Sequence, residues 1–325
     1  YKSVSITGST AGAQTDYQVL VTVDTAASIF ASKMQATGAD IRFTNASNTE
    51  LSYWIESGIN TASTKIWVKV DSIPVSPGTA TIYMYYGNSF ATSSSNGGNT
   101  FIFFDDFEDG VIDVTKWTVT STVVESGGKI SIGDAVADYD SLNSIPTFAP
   151  PLTLEMSGNL SNSISGYNDY GFSVGPQFTV HWETDPAIEA KMGEAGGTNS
   201  PDVGFPAPYT ANWRIDWKSD GSAAFYVNDV LRVNRTTNLL TTARVLLFRQ
   251  YSDTPIMDLS ILKIRKYASP EPSVGTPGAE QGAFAPSGSF ESATVNLGAA
   301  NYGLDTISWN ATVPSAAELG IVGLW

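Results

Sequence analysis

Apolar residues in this chain fall on every second position in stretch after stretch, and that period constrains the fold more than any other feature. Val4 and Ile6 alternate with polar neighbours, as do Tyr17, Val19, Val21 and Val23. Ile41 and Phe43, then Ile66, Val68 and Val70, then Ile82, Met84 and Tyr86 continue the series. Successive side chains of a strand point to opposite faces, so the pattern predicts half-buried strands. One segment departs from it. Between Thr25 and Gly38, the residues Ile29, Phe30, Lys33 and Met34 fall at helical spacing, with Thr25 as N-cap and Gly38 as stop. A single short helix is expected near Ser28 to Gln35.

The strands are grouped. A first β-sandwich with its helix fills residues 1–92, and ATSSSNGGNT at 91–100 has no apolar pattern and reads as a flexible linker. A second β region occupies 101–275. Its plainest stretch is NWRIDWKSDGSAAFYVNDVLRV, where Trp213, Ile215 and Trp217 share a strand face and Phe225 and Val227 line the next strand. Ser219-Asp220-Gly221 and Asn228-Asp229 mark the turns. A Pro-rich exit runs from Ala268 to Gln281. Residues 283–325 start a third β region, expected to be incomplete because so short a segment holds no independent core. The start at Tyr1 and the strand-like end LGIVGLW are expected of a piece of a longer protein.

Composition narrows the function. The net charge is −15 with 17 Lys and Arg, so phosphate backbones are repelled and nucleic acid is not an expected partner. Charged residues are 15% against roughly 25% in typical soluble domains. Ser, Thr, Asn and Gly supply the polarity instead, as in exported β proteins. Without cysteine there is no disulfide, thiolate metal site or thiol nucleophile. No apolar run nears the roughly 18 residues of a membrane-spanning helix, so membrane insertion is not expected. His181 is the single histidine and no Gly-x-Ser-x-Gly elbow accompanies it, which argues against a serine triad and a multi-histidine metal site. Sequons at Asn45, Asn159, Asn234 and Asn310 permit glycosylation without arguing for it.

ADIRFTNASNTELSYWIES, the strand KIWVKV and the closing TIYMYYGN carry a resemblance of residues 1 to about 90 to a prokaryotic extracellular domain family of unknown function. FFDDFEDGVIDVTKW, DGSAAFYVNDVL and MDLSILKIRKYASPEP carry a second, to the concanavalin-like lectin/glucanase jelly roll that often abuts that family. The expected fold class is therefore all-β: tandem antiparallel β-sandwiches, the second a concanavalin-like jelly roll, plus the partial third β region. The resemblance implies secretion and surface display. It implies little about reaction, because lectins, hydrolases and plain spacers share this jelly roll.

Laminarinase-type glycoside hydrolases on this fold carry Glu-x-Asp and a second Glu on one strand, the first as nucleophile and the last as general acid. Glu183, Asp185 and Glu189 are the nearest match. Three residues separate Asp185 from Glu189 where that family has one or two, and Pro186 among them should end or bulge the strand. An acidic strand end and turn reads the same, so no catalytic residue is assigned. Related jelly rolls also hold a structural calcium between the first strand, an early glycine carbonyl and an aspartate of the last strand. The resemblance carries that site to Asp106, Gly128 and Asp258. The competing reading has Asp106 as a turn or cap residue and Asp258 facing solvent.

Alternation sends Phe178, Val180, Trp182, Trp213, Ile215 and Trp217 to the core and their neighbours outward. His181, Glu183, Arg214, Asp216 and Tyr226 then form one expected glycan-binding strip, with Arg214 forking onto hydroxyls or a uronic carboxylate and Tyr226 stacking on a ring. A simply hydrated face looks the same. The expected function is that of a non-catalytic extracellular region of a larger prokaryotic surface or secreted protein, in adhesion or display, with a glycan or cell-surface polymer as partner. Two other classes stay open. One is a polysaccharide-degrading hydrolase of laminarinase type. The other is a filament subunit that self-associates through open sheet edges, the unfinished region from Phe284 to Trp325 accepting a neighbour's strand.

Overall fold

The computed structural model describes residues 1–120, 123–132, 139–160, 167–173, 175–181, 188–192, 203–204, 210–236, 242–250 and 257–281. The region expected over 283–325 lies outside them. The described chain divides into two compact units, each discontinuous in sequence. One holds Tyr1–Gly8, Gly12–Asn96 and the segment from Pro272, and the other holds Ser9–Ala11 and Gly97–Glu271. No helix among the described residues is long and apolar enough to cross a membrane.

The first unit contains β1 (Lys2–Thr7), β2 (Gln14–Val23), α1 (Ala26–Phe30), β3 (Arg42–Asn45), β4 (Glu50–Leu51), β5 (Tyr53–Ser57), β6 (Thr64–Ile73) and β7 (Thr79–Tyr85). The alternating residues behave as the period demands: Val4, Ile6, Val21, Ile66, Val68 and Ile82 are all buried. The helix is shorter than expected. It ends at Phe30 because Ser32 takes a left-handed φ of 55°. Thr25 does not cap it; its hydroxyl meets that of Thr64 at 2.6 Å, and Asp24 Oδ1 accepts the Ala27 N–H instead.

The second unit follows with α2 (Gly97–Thr100), β8 (Phe103–Asp105), β9 (Trp117–Thr120), β10 (Val123–Glu125), β11 (Ile130–Ile132) and β12 (Tyr139–Ser144). It continues through β13 (Leu152–Asn159), β14 (Tyr167–Phe172), β15 (Pro176–His181), β16 (Ile188–Met192) and β17 (Thr210–Trp217). β18 (Ala223–Val227), β19 (Val230–Arg235), β20 (Val245–Gln250) and β21 (Met257–Lys266) complete it, and β22 (Ser273–Val274) belongs to the first unit again. The segment read as a linker is thus partly structured. Ser95 Oγ accepts the Ile55 N–H, the Asn96 N–H donates to the Tyr53 carbonyl, and α2 follows. The Pro-rich exit is also no free tail. β22 pairs with β1, and the Gly275, Gly278 and Gln281 amides donate to the carbonyls of Ser5, Ser3 and Tyr1.

In the first unit the sheets run β22-β1-β7-β3-β4 and β2-β6-β5. The second unit is a jelly-roll sandwich. Its eight-stranded sheet runs β10-β11-β21-β13-β17-β18-β19, with β8 also on β21, and its six-stranded sheet runs β16-β15-β14-β20-β12-β9. The paired strands are antiparallel in both units. The sheets meet through Phe178 of one and Trp213 and Phe225 of the other, ring centroids 5.2 Å apart in both pairs. Trp213, Ile215, Trp217 and Phe225 are fully buried, as alternation foresaw, each contributing about 1.5–3 kcal/mol by leaving water.

The motif FFDDFEDG works through Asp105 rather than Asp106. Phe103 and Phe107 pack against Trp117, whose indole Nε1–H donates to Asp105 Oδ2 at 2.7 Å. The Phe107 N–H donates to the other Asp105 oxygen at 3.2 Å. The motif therefore locks the first strand of the jelly roll onto β9.

Candidate functional site

The outward face of the eight-stranded sheet carries two kinds of polar surface, and the register explains both. Glu155 lies opposite Lys263 on one side and Arg214 on the other, and Arg214 lies opposite Tyr226. In the next row Thr153 lies between Arg265 and Asp216. These rows are closed upon themselves. Glu155 receives Lys263 Nζ at 3.1 Å and Arg265 Nε at 2.7 Å, and Arg265 also reaches Glu271 at 2.7 Å. Lys263 and Arg265 are only 4% and 3% exposed. Burial alone would raise the Glu155 carboxyl, but the two cations outweigh it and bring it down to about 2.

Arg214 and Tyr226 belong to this closed surface. The Arg214 guanidinium lies 3.8 Å over the Tyr226 ring and pairs with Asp229 at 3.2 Å and Asp216 at 3.5 Å. Asp216 is buried and accepts the Thr153 hydroxyl at 2.9 Å. Burial pushes its carboxyl up, with Arg214 and Arg265 pulling the other way. The ring face and guanidinium fork expected to meet a sugar are thus turned on each other.

The strip also does not hold together. His181 ends β15 in the six-stranded sheet, whereas β17 and β18 lie in the eight-stranded sheet on the far side of the core. Alternation fixes in or out within a sheet and is silent on which sheet a strand joins, so residues pointing outward from the two point in opposite directions. Glu183 and Asp185 lie outside the described residues. Glu189 sits on β16, opposite Thr179 of β15. β15 ends at His181 and β16 returns antiparallel from Ile188.

Of the residues named for calcium, Asp258 lies opposite Ser131, and the Ser131 hydroxyl donates to it. Asp106 directly follows β8, whose Asp105 lies opposite Leu262 on the same strand as Asp258. Gly128, at φ 71°, is backed by Glu108: a Cβ there would come within 2.8 Å of Glu108 Oε1. Among the described residues no group of three or more His, Asp or Glu is placed to hold a metal. The acid standing out near the junction is Glu125. It accepts the Gly110 N–H at 3.0 Å, and burial together with the neighbouring Asp109 pushes it up to about 7.

One rung beyond the closed rows, the same face opens into a cleft of about 570 Å³. Its polar rim is Lys129, Asn159, Thr210, Asn212, Asn228, Asp258 and Ser260. The rim is held from beneath. Asn212 Oδ1 accepts the Ser157 hydroxyl at 2.7 Å, and Asn228 Oδ1 accepts the Asn212 N–H at 2.9 Å. Asn228 and Asp229 take φ of 51° and 61°, the left-handed pair of a tight hairpin. The floor is a bulge in the β13–β21 register at Ser157/Gly158. Gly158, at φ 140°, lets β21 approach; a Cβ there would lie 2.1 Å from the Asp258 carbonyl oxygen. Of this rim, sequence reasoning singled out Asp258 for another role and missed Lys129, Asn159 and Asn228 as a site. The tight turns at SGGK and Asn228-Asp229 were the available signal, but the register that joins them was not.

A family model, Domain of unknown function (DUF2341), matches residues 37–120. That span covers β3 to β7 of the first unit and the α2, β8 and β9 segment of the second. No curated protein matches the chain. Among solved structures, the endo-β-1,3-glucanase from Pyrococcus furiosus is similar at 12% identity over 52% of this chain and 94% of that one, with a TM-score of 0.41. The Bacillus licheniformis β-glucanase is similar at 13% identity over 51% and 98%, with a TM-score of 0.38. The carbohydrate recognition domain of Emp47p is similar at 10% identity over 50% and 94%, with a TM-score of 0.41. The likeness is distant and bears on no residue's chemistry.

Proposed function

We propose that this chain is a non-catalytic, glycan-binding region of a prokaryotic surface or secreted protein, used in adhesion or display, and that the cleft over the β13–β21 bulge takes the sugar. The observation that supports the reading is the rim itself: three amides, two hydroxyls, a carboxylate and an ammonium line one opening, with Asn212 and Asn228 held by backbone and side-chain hydrogen bonds. Sugar hydroxyls are held by such planar donor–acceptor groups, and the volume suits a small saccharide unit. Hydrolysis is disfavoured because a glycosidase needs two carboxylates flanking the bond, and the described rim carries Asp258 alone. Self-association through an open edge has less support in the first unit, where β22 covers the edge of β1.

A glycan array read with wild type, Asp258→Asn, Asn212→Ala and His181→Ala tests this. Signals should appear with wild type, fall at least severalfold in the first two variants and persist in His181→Ala. No signal on any glycan, or loss only with His181→Ala, overturns the reading.

A further inference from the structure

We infer that the sugar taken by this cleft is acidic: a hexuronate unit whose carboxylate sits on Lys129 while its hydroxyls face the amides and Asp258. This rests on the glycan reading of the cleft. On the outward face of this sheet Lys263 and Arg265 are neutralised by Glu155 and Glu271, and Arg214 by Asp216 and Asp229. Lys129 differs. It is exposed on the rim, and its side chain makes no hydrogen bond or ion pair with any described residue.

The Lys129 ammonium also does not pair with Asp258, the one carboxylate among the described rim residues, which instead accepts the Ser131 hydroxyl. Ile130 lies opposite Leu259, which brings Lys129 beside Ser260, so cation and anion both rim the β11–β21 end of the cleft and the amides lie beyond on β13, β17 and the turn after β18. That arrangement orients a ligand. A carboxylate over the amides meets no cation, while on Lys129 it gains a charge-assisted hydrogen bond. Asp258 can only accept, so it takes the neighbouring sugar hydroxyl, and Asn159, Asn212, Asn228 and Ser260 serve the remaining hydroxyls. The net charge of −15 repels a densely anionic polymer over the roughly 8 Å screening length at physiological salt. The ligand is therefore an isolated uronate in an otherwise neutral glycan.

Methyl β-glucuronide and methyl β-glucoside differ only in carboxylate against hydroxymethyl at C6, and both are titrated by NMR into the full chain and into Lys129→Ala and Lys129→Arg. The glucuronide should bind about three- to fivefold more tightly, the scale of one exposed ion pair. Lys129→Ala should erase that advantage, Lys129→Arg should keep it, and added salt should shrink it. Equal affinity, tighter glucoside binding, or an advantage that survives Lys129→Ala overturns the inference while leaving a neutral-glycan site standing. An array without any positive glycan removes the underlying reading instead, so the two failures are told apart.

Discussion

Glu155 joins two nearly buried cations, and its removal leaves both without their shared anion. Unpairing buried charges costs about 3–5 kcal/mol, so Glu155→Gln should lower stability at neutral pH by that order. The pH dependence has a definite sign. The carboxyl is held at about 2 in the folded chain against an ordinary 4.5, so its stabilisation is complete above about pH 4.5 and is lost as pH falls through about 2. The gap between wild type and Glu155→Gln, followed by denaturant unfolding, should therefore stay constant from pH 7 to about 5 and shrink below that. A gap that persists unchanged to pH 2 would show that Glu155 acts through shape rather than charge. The same residues show why the expected glycan strip fails: Arg214 and Tyr226 have the right chemistry, but each is the other's partner.

The alternating pattern revealed the strands, their buried faces and the turns at Ser219-Asp220-Gly221 and Asn228-Asp229 with good fidelity, because period two is a local property of the backbone. It did not reveal that β15 and β17 belong to different sheets, which long-range pairing decides, so His181 and Arg214 were placed on one surface. Nor did it reveal β22. Ser273–Val274 is too short and too polar to signal a strand, and it is recruited by the unpaired carbonyls of β1 rather than by its own side chains. Its contribution can be measured. A chain ending after Glu271 would lose the bonds from Gly275, Gly278 and Gln281 and the Lys33–Glu280 pair. Hydrogen exchange along β1 and β7 should then rise relative to β2 and β6 of the same unit. Unchanged protection in β1 would mean that β22 merely lies against the sheet.

At the scale of the whole molecule, the chain uses residues from distant parts of the sequence to build each unit, and the cleft is a product of the same habit. Lys129 comes from the turn between β10 and β11, Asn159 from the end of β13, Asn212 from β17, Asn228 from the turn after β18, and Asp258 and Ser260 from β21. No motif in the sequence links them, whereas the conspicuous motif FFDDFEDG proves to be a structural lock built on Asp105 and Trp117. The central claim is that this assembled cleft, and not the outward face of the six-stranded sheet, meets the glycan. Amide chemical-shift mapping on the full chain, titrated with the oligosaccharide giving the strongest array signal, tests it most directly. The account expects shifts centred on Asn159, Asn212, Asn228 and Asp258. Shifts centred on Asp169, Gln177 and Lys191 of the opposite sheet, with the cleft unmoved, would contradict it.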